Sequence, residues 1–169
     1  MKSIRKILLA SITVLASLAV HAQELKIGVV NMDVVLRDTV AAKAAQAKLE
    51  TEFKPREKDL NRFEASVKAA SEKYEKDSLT LGESERVRRQ RDLVDQDREL
   101  QRKRREFQED FNQRKNEELT AILNRTGRVI KQIFEQEKFD LILQDQLFAS
   151  ARLDITGKVI KVLDSGTVK

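Results

Sequence analysis

The 169-residue chain is 36% charged and 40% hydrophobic, with 5% aromatic residues, one Pro and five Gly. It is too polar and too poor in aromatics for an ordinary compact core, yet too poor in Pro and Gly for a disordered chain, so the composition points to long solvated helices. The absence of Cys excludes disulfides, thiolate metal sites and cysteine nucleophiles.

Lys2, Arg5 and Lys6 precede an uncharged run from Ile7 to Val20, and Val20-His21-Ala22 has the small-residue pattern of a processing site. This predicts a secretory signal peptide over 1–22, cleaved after Ala22. As a membrane anchor the run is too short, since its helix reaches only about 21 Å against a hydrocarbon core of ~30 Å. The formal net charge is +5; cleavage takes three of the 33 Lys and Arg and none of the 28 acids, leaving 30 against 28, or +2. His21, the only His, leaves too, so most familiar catalytic and zinc chemistry goes with it. Export without cysteines fits a bacterial periplasm, where stability must come from packing or oligomerisation.

Lys26 to Met32 (KIGVVNM) has the length and composition of a strand, and Asp33 and Asp38 are candidate helix N-caps behind it. Leu49, Phe53, Arg56, Leu60, Phe63, Val67, Ala70 and Tyr74 follow the alternating 4, 3 spacing of a coiled-coil seam, interrupted only by Arg56. Pro55 beside it predicts a kink near Lys54. Residues 77–84, with Gly82, read as the turn of a helical hairpin. The descending helix is predicted from Ser84 to Glu137, where Leu100, Phe111, Ile122 and Ile133 recur every 11 residues, a period that favours a straight or slightly right-handed course. Between Glu83 and Glu106 there are 16 charged residues in 24, so the distal arm has almost no core. At about 1.5 Å per residue the two helices reach ~57 and ~80 Å.

Phe139 to Gln144 and Leu147 to Leu153 read as two further strands, and Asp154 or Thr156 caps a last short helix carrying Val159, Ile160, Val162 and Leu163. Three short strands and one small helix bury too little core to stand alone, so the body is expected to join other copies. The expected domains are a signal peptide at 1–22, a β-rich body at 23–38 and 138–169, and a helical arm at 39–137.

The order of these elements, with K-I-G-V-V-N-M at 26–32, L-E-T-E-F-K at 49–54, F-D-L-I-L at 139–143 and D-I-T at 154–156, resembles the OmpH family of periplasmic chaperones over Lys26 to about Asp164. The resemblance implies a mainly α protein with a small β body, in which long helical-hairpin arms stand on short strands that form a β-barrel on trimerisation. It implies an ATP-independent holdase, not an enzyme and without cofactors, that carries unfolded outer-membrane proteins between three arms. Ile27, Val29, Val30, Leu141 and Leu143 then belong to the trimerisation body. Pro55 stands where a more flexible residue suits such an arm, which leaves arm bending open.

Val87, Val94 and Leu100, scattered among Arg88, Arg89 and Arg91, are candidate client contacts; filling the seam between the helices is an equal alternative. For the charge runs the favoured reading is a solvated helical face balanced by Asp92, Asp95, Asp97 and Glu99. The family's lipopolysaccharide contact, carried over by a gapless alignment from Phe107 to Glu118, falls on Arg114, with Lys103 and Lys115 nearby. Anionic membrane surfaces are a related candidate partner.

Other motifs carry less. Gly157-Lys158 lacks the upstream Gly of a phosphate loop, Asn124-Arg125-Thr126 lies in a predicted helix, and Gly127 reads as a hinge or a point of close packing. Competing functions are an exported basic coiled coil that binds nucleic acid and a structural envelope component. A mature charge near zero and the lack of stacking aromatics among the arginines count against nucleic acid.

Overall fold

The first and last described segments meet in the base, as the hydrogen bonds of the first segment's backbone show. In the computed structural model, which describes residues 25–146 and 148–166, strand β1 (Ile27–Val30) pairs in parallel with β2 (Leu141–Gln144), Ile27 facing Leu141 and Val30 facing Gln144. The predicted signal peptide lies outside the described residues. A parallel pair requires a crossover connection. Here the crossover is the whole arm: helices α1 (Met32–Asp38), α2 (Val40–Asp77) and α3 (Glu83–Glu137). After β2 come a 3-10 turn (Ala151–Leu153) and helix α4 (Thr156–Asp164).

Four backbone N–H groups near the start of the chain donate to side chains near its end. Lys26 donates to Asp140 (2.7 Å), Asn31 to Thr156 (2.9 Å), Met32 to Asp145 (2.8 Å) and Val40 to Asp164 (2.9 Å). Such groups are costly to leave unpaired when part-buried, so these bonds fix the two ends against each other. Glu137, the last residue of α3, adds a knot, accepting from Lys158 Nζ (2.6 Å) and Lys26 Nζ (3.3 Å). The Lys158 bond holds its carboxyl below the usual carboxylate range, desolvation opposes it, and the weaker Lys26 bond adds to the lowering. A depressed pKa contributes stability above the unfolded value that is lost as pH falls through the folded one. Glu137→Gln should therefore lower the thermal midpoint at neutral pH, with the gap to the parent closing below about pH 4 in a series of melts.

Helix caps differ from the sequence expectation. Asn31 caps α1, its side chain accepting from the Val34 N–H (3.1 Å), and Thr39 caps α2, accepting from Ala42 (3.2 Å). Asp33 sits in the first turn of α1 and Asp38 is its last residue, paired with Arg37. The capping oxygen must lie just before the first helical residue, and the strand ends at Val30, two residues earlier than predicted.

The predicted third strand is absent among the described residues. Asp145 takes a left-handed conformation (φ 52) and turns the chain away after β2. Residues 148–150 are irregular, and Leu147, the first residue of that predicted strand, lies outside the described residues. The LFASARL stretch has two alanines and no β-branched side chain, a poor strand former. It rejoins the sheet through a single parallel bridge between Asp154 and Val29, with Ile155 N–H donating to Val29 O at 2.9 Å. Asp154 then accepts from Thr156 N–H (2.8 Å) as α4 begins.

The base core gathers Val30, Met32, Val35, Val129, Ile133, Phe139, Ile155, Val159 and Leu163. Val129 and Ile133 belong to the last turns of α3, so the long helix is rooted in the base instead of merely leaving it. In a parallel pair, residues in register share a face. Val30 and Ile142 lie toward the core, while Ile27, Val29, Leu141 and Leu143 share the outer face.

The arm helices hold 38 and 55 residues, about 57 and 82 Å. Their turn closes with the Thr80 and Leu81 N–H groups donating to Asp77 O. The seam residues read from the sequence are buried or half-buried except Arg56, which is exposed, pairs with Asp110 and lies over the Phe53 ring (5.0 Å). Helix α2 runs through Pro55 without a break. Gly127 is exposed, and an added Cβ there meets nothing within 4 Å, so close packing within the chain does not explain it. Gly127→Ala is expected to stabilise the helix by about 1 kcal/mol, read as a raised urea midpoint at unchanged m-value.

Candidate functional site

Where the two arm helices leave the base they spread around an open groove of about 730 Å³. Its lining starts with Leu36, Ala42, Ala45 and Leu49 and ends at Phe53, facing Phe107, Phe111, Leu119 and Ile122 of α3. The two small alanines leave space between the helices that larger side chains would fill. Distally the groove ends on an aromatic node: Phe53 meets Phe107 and Phe111 edge-on, at 5.8 and 5.2 Å between ring centres. Strict alternation carried back from Leu49 reaches Gln46 before Ala42, whereas the buried positions are Ala45 and Ala42, so the pattern steps out of register at Ala45, where the groove opens, and periodicity alone does not locate it.

Beyond the node the arm is thin. Val87 is half-buried and Val94 is 44% exposed, but Leu100 is sealed in the seam at 5% exposure. Of the three candidate apolar contacts, Leu100 thus takes the alternative role of seam filler, because it falls on the 11-residue stripe that faces α2. Arg89 is tied to Glu85 (3.2 Å) and Asp77 (3.3 Å), and Arg88 reaches Glu85 at 3.8 Å. Arg91 is exposed and has no ion pair among the described residues. At the tip Leu79 is 96% exposed, a residue the sequence reading had absorbed into the turn.

The three basic residues carried over from the family do not converge. Lys103 pairs with Glu99 (3.3 Å) and lies 5.8 Å from the Phe63 ring centre. Arg114 is ringed by Glu52 (3.3 Å), Glu117 (3.0 Å) and Glu118 (3.4 Å), which raise its already high pKa, Glu117 most. Lys115 borders the root groove. Eleven residues of helix separate Lys103 from Arg114, about 16 Å.

In the base, Val29 (7% exposed) and Val30 (fully buried) are covered within the single chain. Val30 belongs to the chain's own core. Ile27 and Leu143 are half-buried and Leu141 is 45% exposed on the outer face, where β2 has no strand on its far side among the described residues. Phe148, 90% exposed, lies in the irregular segment that follows. Among the described residues no group of three or more His, Cys, Asp or Glu is placed to hold a metal ion, and no helix is long and apolar enough to cross a membrane.

A base closed by segments from near the start and the end of the described chain, carrying a two-helix arm, defines a base-and-arm protein. The family described as outer membrane protein (OmpH-like) matches residues 26–163, and the chain belongs to that family. Among similar curated proteins, chaperone protein Skp of Escherichia coli strain K12 is 31% identical over 149 residues, covering 86% of this chain and 91% of that protein. Chaperone protein Skp of Photorhabdus luminescens is 29% identical over 138 residues, covering 80% and 84%. The crystal structure of an OmpH-like protein from Caulobacter crescentus superposes with a TM-score of 0.72 at 16% identity, over 85% of this chain and 86% of that one, a likeness of fold.

Proposed function

We propose that this chain is an ATP-independent periplasmic holdase chaperone, not an enzyme, exported by a signal peptide cleaved after Ala22. Its expected partners are unfolded outer-membrane proteins and two further copies of itself. The body at 23–38 and 138–169 joins three subunits through a barrel, and the arms at 39–137 surround the client. The observation that carries this reading is the outer face of the base sheet. Ile27, Leu141 and Leu143 present apolar surface beside the unpaired edge of β2, at the root of an arm too thin to be a self-contained domain. Unpaired edges invite further strands, and joining bases would place the arms around a common space.

The chemistry of the arm suits a transient grip. Unfolded outer-membrane strands alternate apolar and polar residues and aggregate through the apolar ones. Val87, Val94 and the tip Leu79, set among exposed charges, offer weak dispersed contacts in place of one deep pocket. Binding the unfolded state lowers aggregation by mass action, and insertion of the client into the membrane removes it from the equilibrium without nucleotide. Attraction to lipopolysaccharide or an anionic membrane surface falls to exposed cations such as Arg91 and Lys115 more than to Arg114, whose charge three glutamates offset. No nucleic-acid role is proposed: the α3 arginines are largely paired with neighbouring acids and have no aromatic platform for bases.

The test is dilution from urea of an outer-membrane barrel protein with a stoichiometric amount of the mature chain and no ATP. Suppressed light scattering is expected. Scattering equal to the chaperone-free control would remove the assignment.

A further inference from the structure

Five ion pairs bridge the arm helices: Lys48 to Glu118 (3.7 Å), Glu52 to Arg114 (3.3 Å), Arg56 to Asp110, Glu64 to Arg104 (2.6 Å) and Asp77 to Arg89 (3.3 Å). For the first three, each step of four residues up α2 is matched by a step of four back along α3, so they form one line of antiparallel rungs. Four-residue steps keep to one side of a helix. The opposite edge at this level carries Glu50, Lys54 and Glu57 of α2 and Gln108 and Lys115 of α3. No cross-helix ion pair joins them among the described residues, and the root groove opens there. We propose that the arm is a clamp held at its root by this one-sided ladder of three rungs and beyond the aromatic node by the Glu64–Arg104 and Asp77–Arg89 pairs, and that ionic strength sets how tightly its distal part is closed.

Solvent reaches every rung: the basic side chains are between 34% and 65% exposed. Exposed pairs weaken as the screening length falls from about 10 Å in 0.1 M salt to about 3 Å in 1 M. Apolar packing normally compensates in a coiled coil. Beyond the aromatic node, however, Leu100 is the one buried apolar side chain of the arm among the described residues. Screening therefore acts on a stretch with little else to hold it, and the helices part from the tip toward the node, uncovering the half-buried Leu60, Phe63 and Val67. Under the holdase reading, on which this consequence rests, salt trades arm closure for apolar client surface.

The parent chain has no Cys, so a double variant, Ser66→Cys with Gln101→Cys, accepts two spin labels on exposed positions across the arm. The interlabel distance distribution is expected to lengthen and broaden between about 0.05 M and about 1 M salt. Adding Asp110→Arg should produce the same change at low salt and speed amide exchange over residues 60–76 about fivefold. Arg56→Asp together with Asp110→Arg restores the rung in reversed polarity and should return both readings to the parent's. A distribution unmoved by salt and by Asp110→Arg would overturn the proposal, as would a swap that fails to restore it. No client is present in these measurements, so their failure leaves the holdase reading intact, and failure of the aggregation assay leaves the ladder intact.

Discussion

Gly28→Val is expected to destabilise the base by about 3 kcal/mol and to melt it well before the arm. The strand places Gly28 on its core face, where even a single added Cβ would stand 3.0 Å from Ile155 Cδ1 and 3.0 Å from Phe139 Cε1. Neither neighbour can yield cheaply. Ile155 is 8% and Phe139 7% exposed, and the residue before Ile155 is bridged to Val29. Valine adds two further methyl groups to that contact. Gly28→Ala, with only the Cβ, should cost about 1 kcal/mol, because contacts at 3.0 Å require each neighbour to shift only slightly, whereas the valine methyls reach further. Native-state hydrogen exchange is the suitable probe, since circular dichroism is dominated by the two long helices. Loss of protection in β1, β2 and α4 with little change over 60–76 is the expected pattern. Equal stability of all three proteins would mean the base is looser than its packing indicates.

This glycine also marks how far the sequence could be read. The arm was legible because a hairpin of long helices is written in periodicity: the 4, 3 pattern from Leu49 to Tyr74 and the 11-residue recurrence of Leu100, Phe111, Ile122 and Ile133 are one-dimensional signals, and the lone Gly82 between them marks the turn. The base was legible only in part. Its strands pair across more than a hundred residues, so no local signal says that β1 and β2 are parallel neighbours, that Val30 turns inward while Leu141 turns outward, or that Gly28 must be small for Phe139. The segment after β2 misled for a related reason: its apolar content resembles a strand, yet what decides its path is the left-handed turn at Asp145 and a single bridge back to Val29. The surroundings of the candidate site were illegible for a different reason. Arginine clusters look available in sequence, but whether a guanidinium is free depends on acids three or four residues away and across the hairpin. Glu52, sixty-two positions from Arg114, cannot be assigned to it before the register is known.

Replacing Leu141 and Leu143 with aspartate should separate the proposed assembly into single chains and abolish its protection of an unfolded barrel. The two side chains lie on one face of the edge strand, pointing away from the core, so the change leaves the interior of the chain intact. Burying an unpaired carboxylate costs several kcal/mol, and losing two leucines from an apolar contact adds about 1.5–3 kcal/mol each. In a closed ring every interface carries the same pair of substitutions, so the loss recurs at each one. Sedimentation velocity should show a single-chain species with parent-like helical content, and the aggregation assay should show no protection. Val94→Ser, on the exposed side of the arm, serves as the contrast: assembly is retained and protection falls only modestly, because one weak contact among many is lost. If the aspartate variant still sedimented as the parent does, the outer sheet face would not be the joint. If it separated but still protected the barrel protein, a single arm would suffice to hold a client, and the enclosed space between arms would have no part in the mechanism.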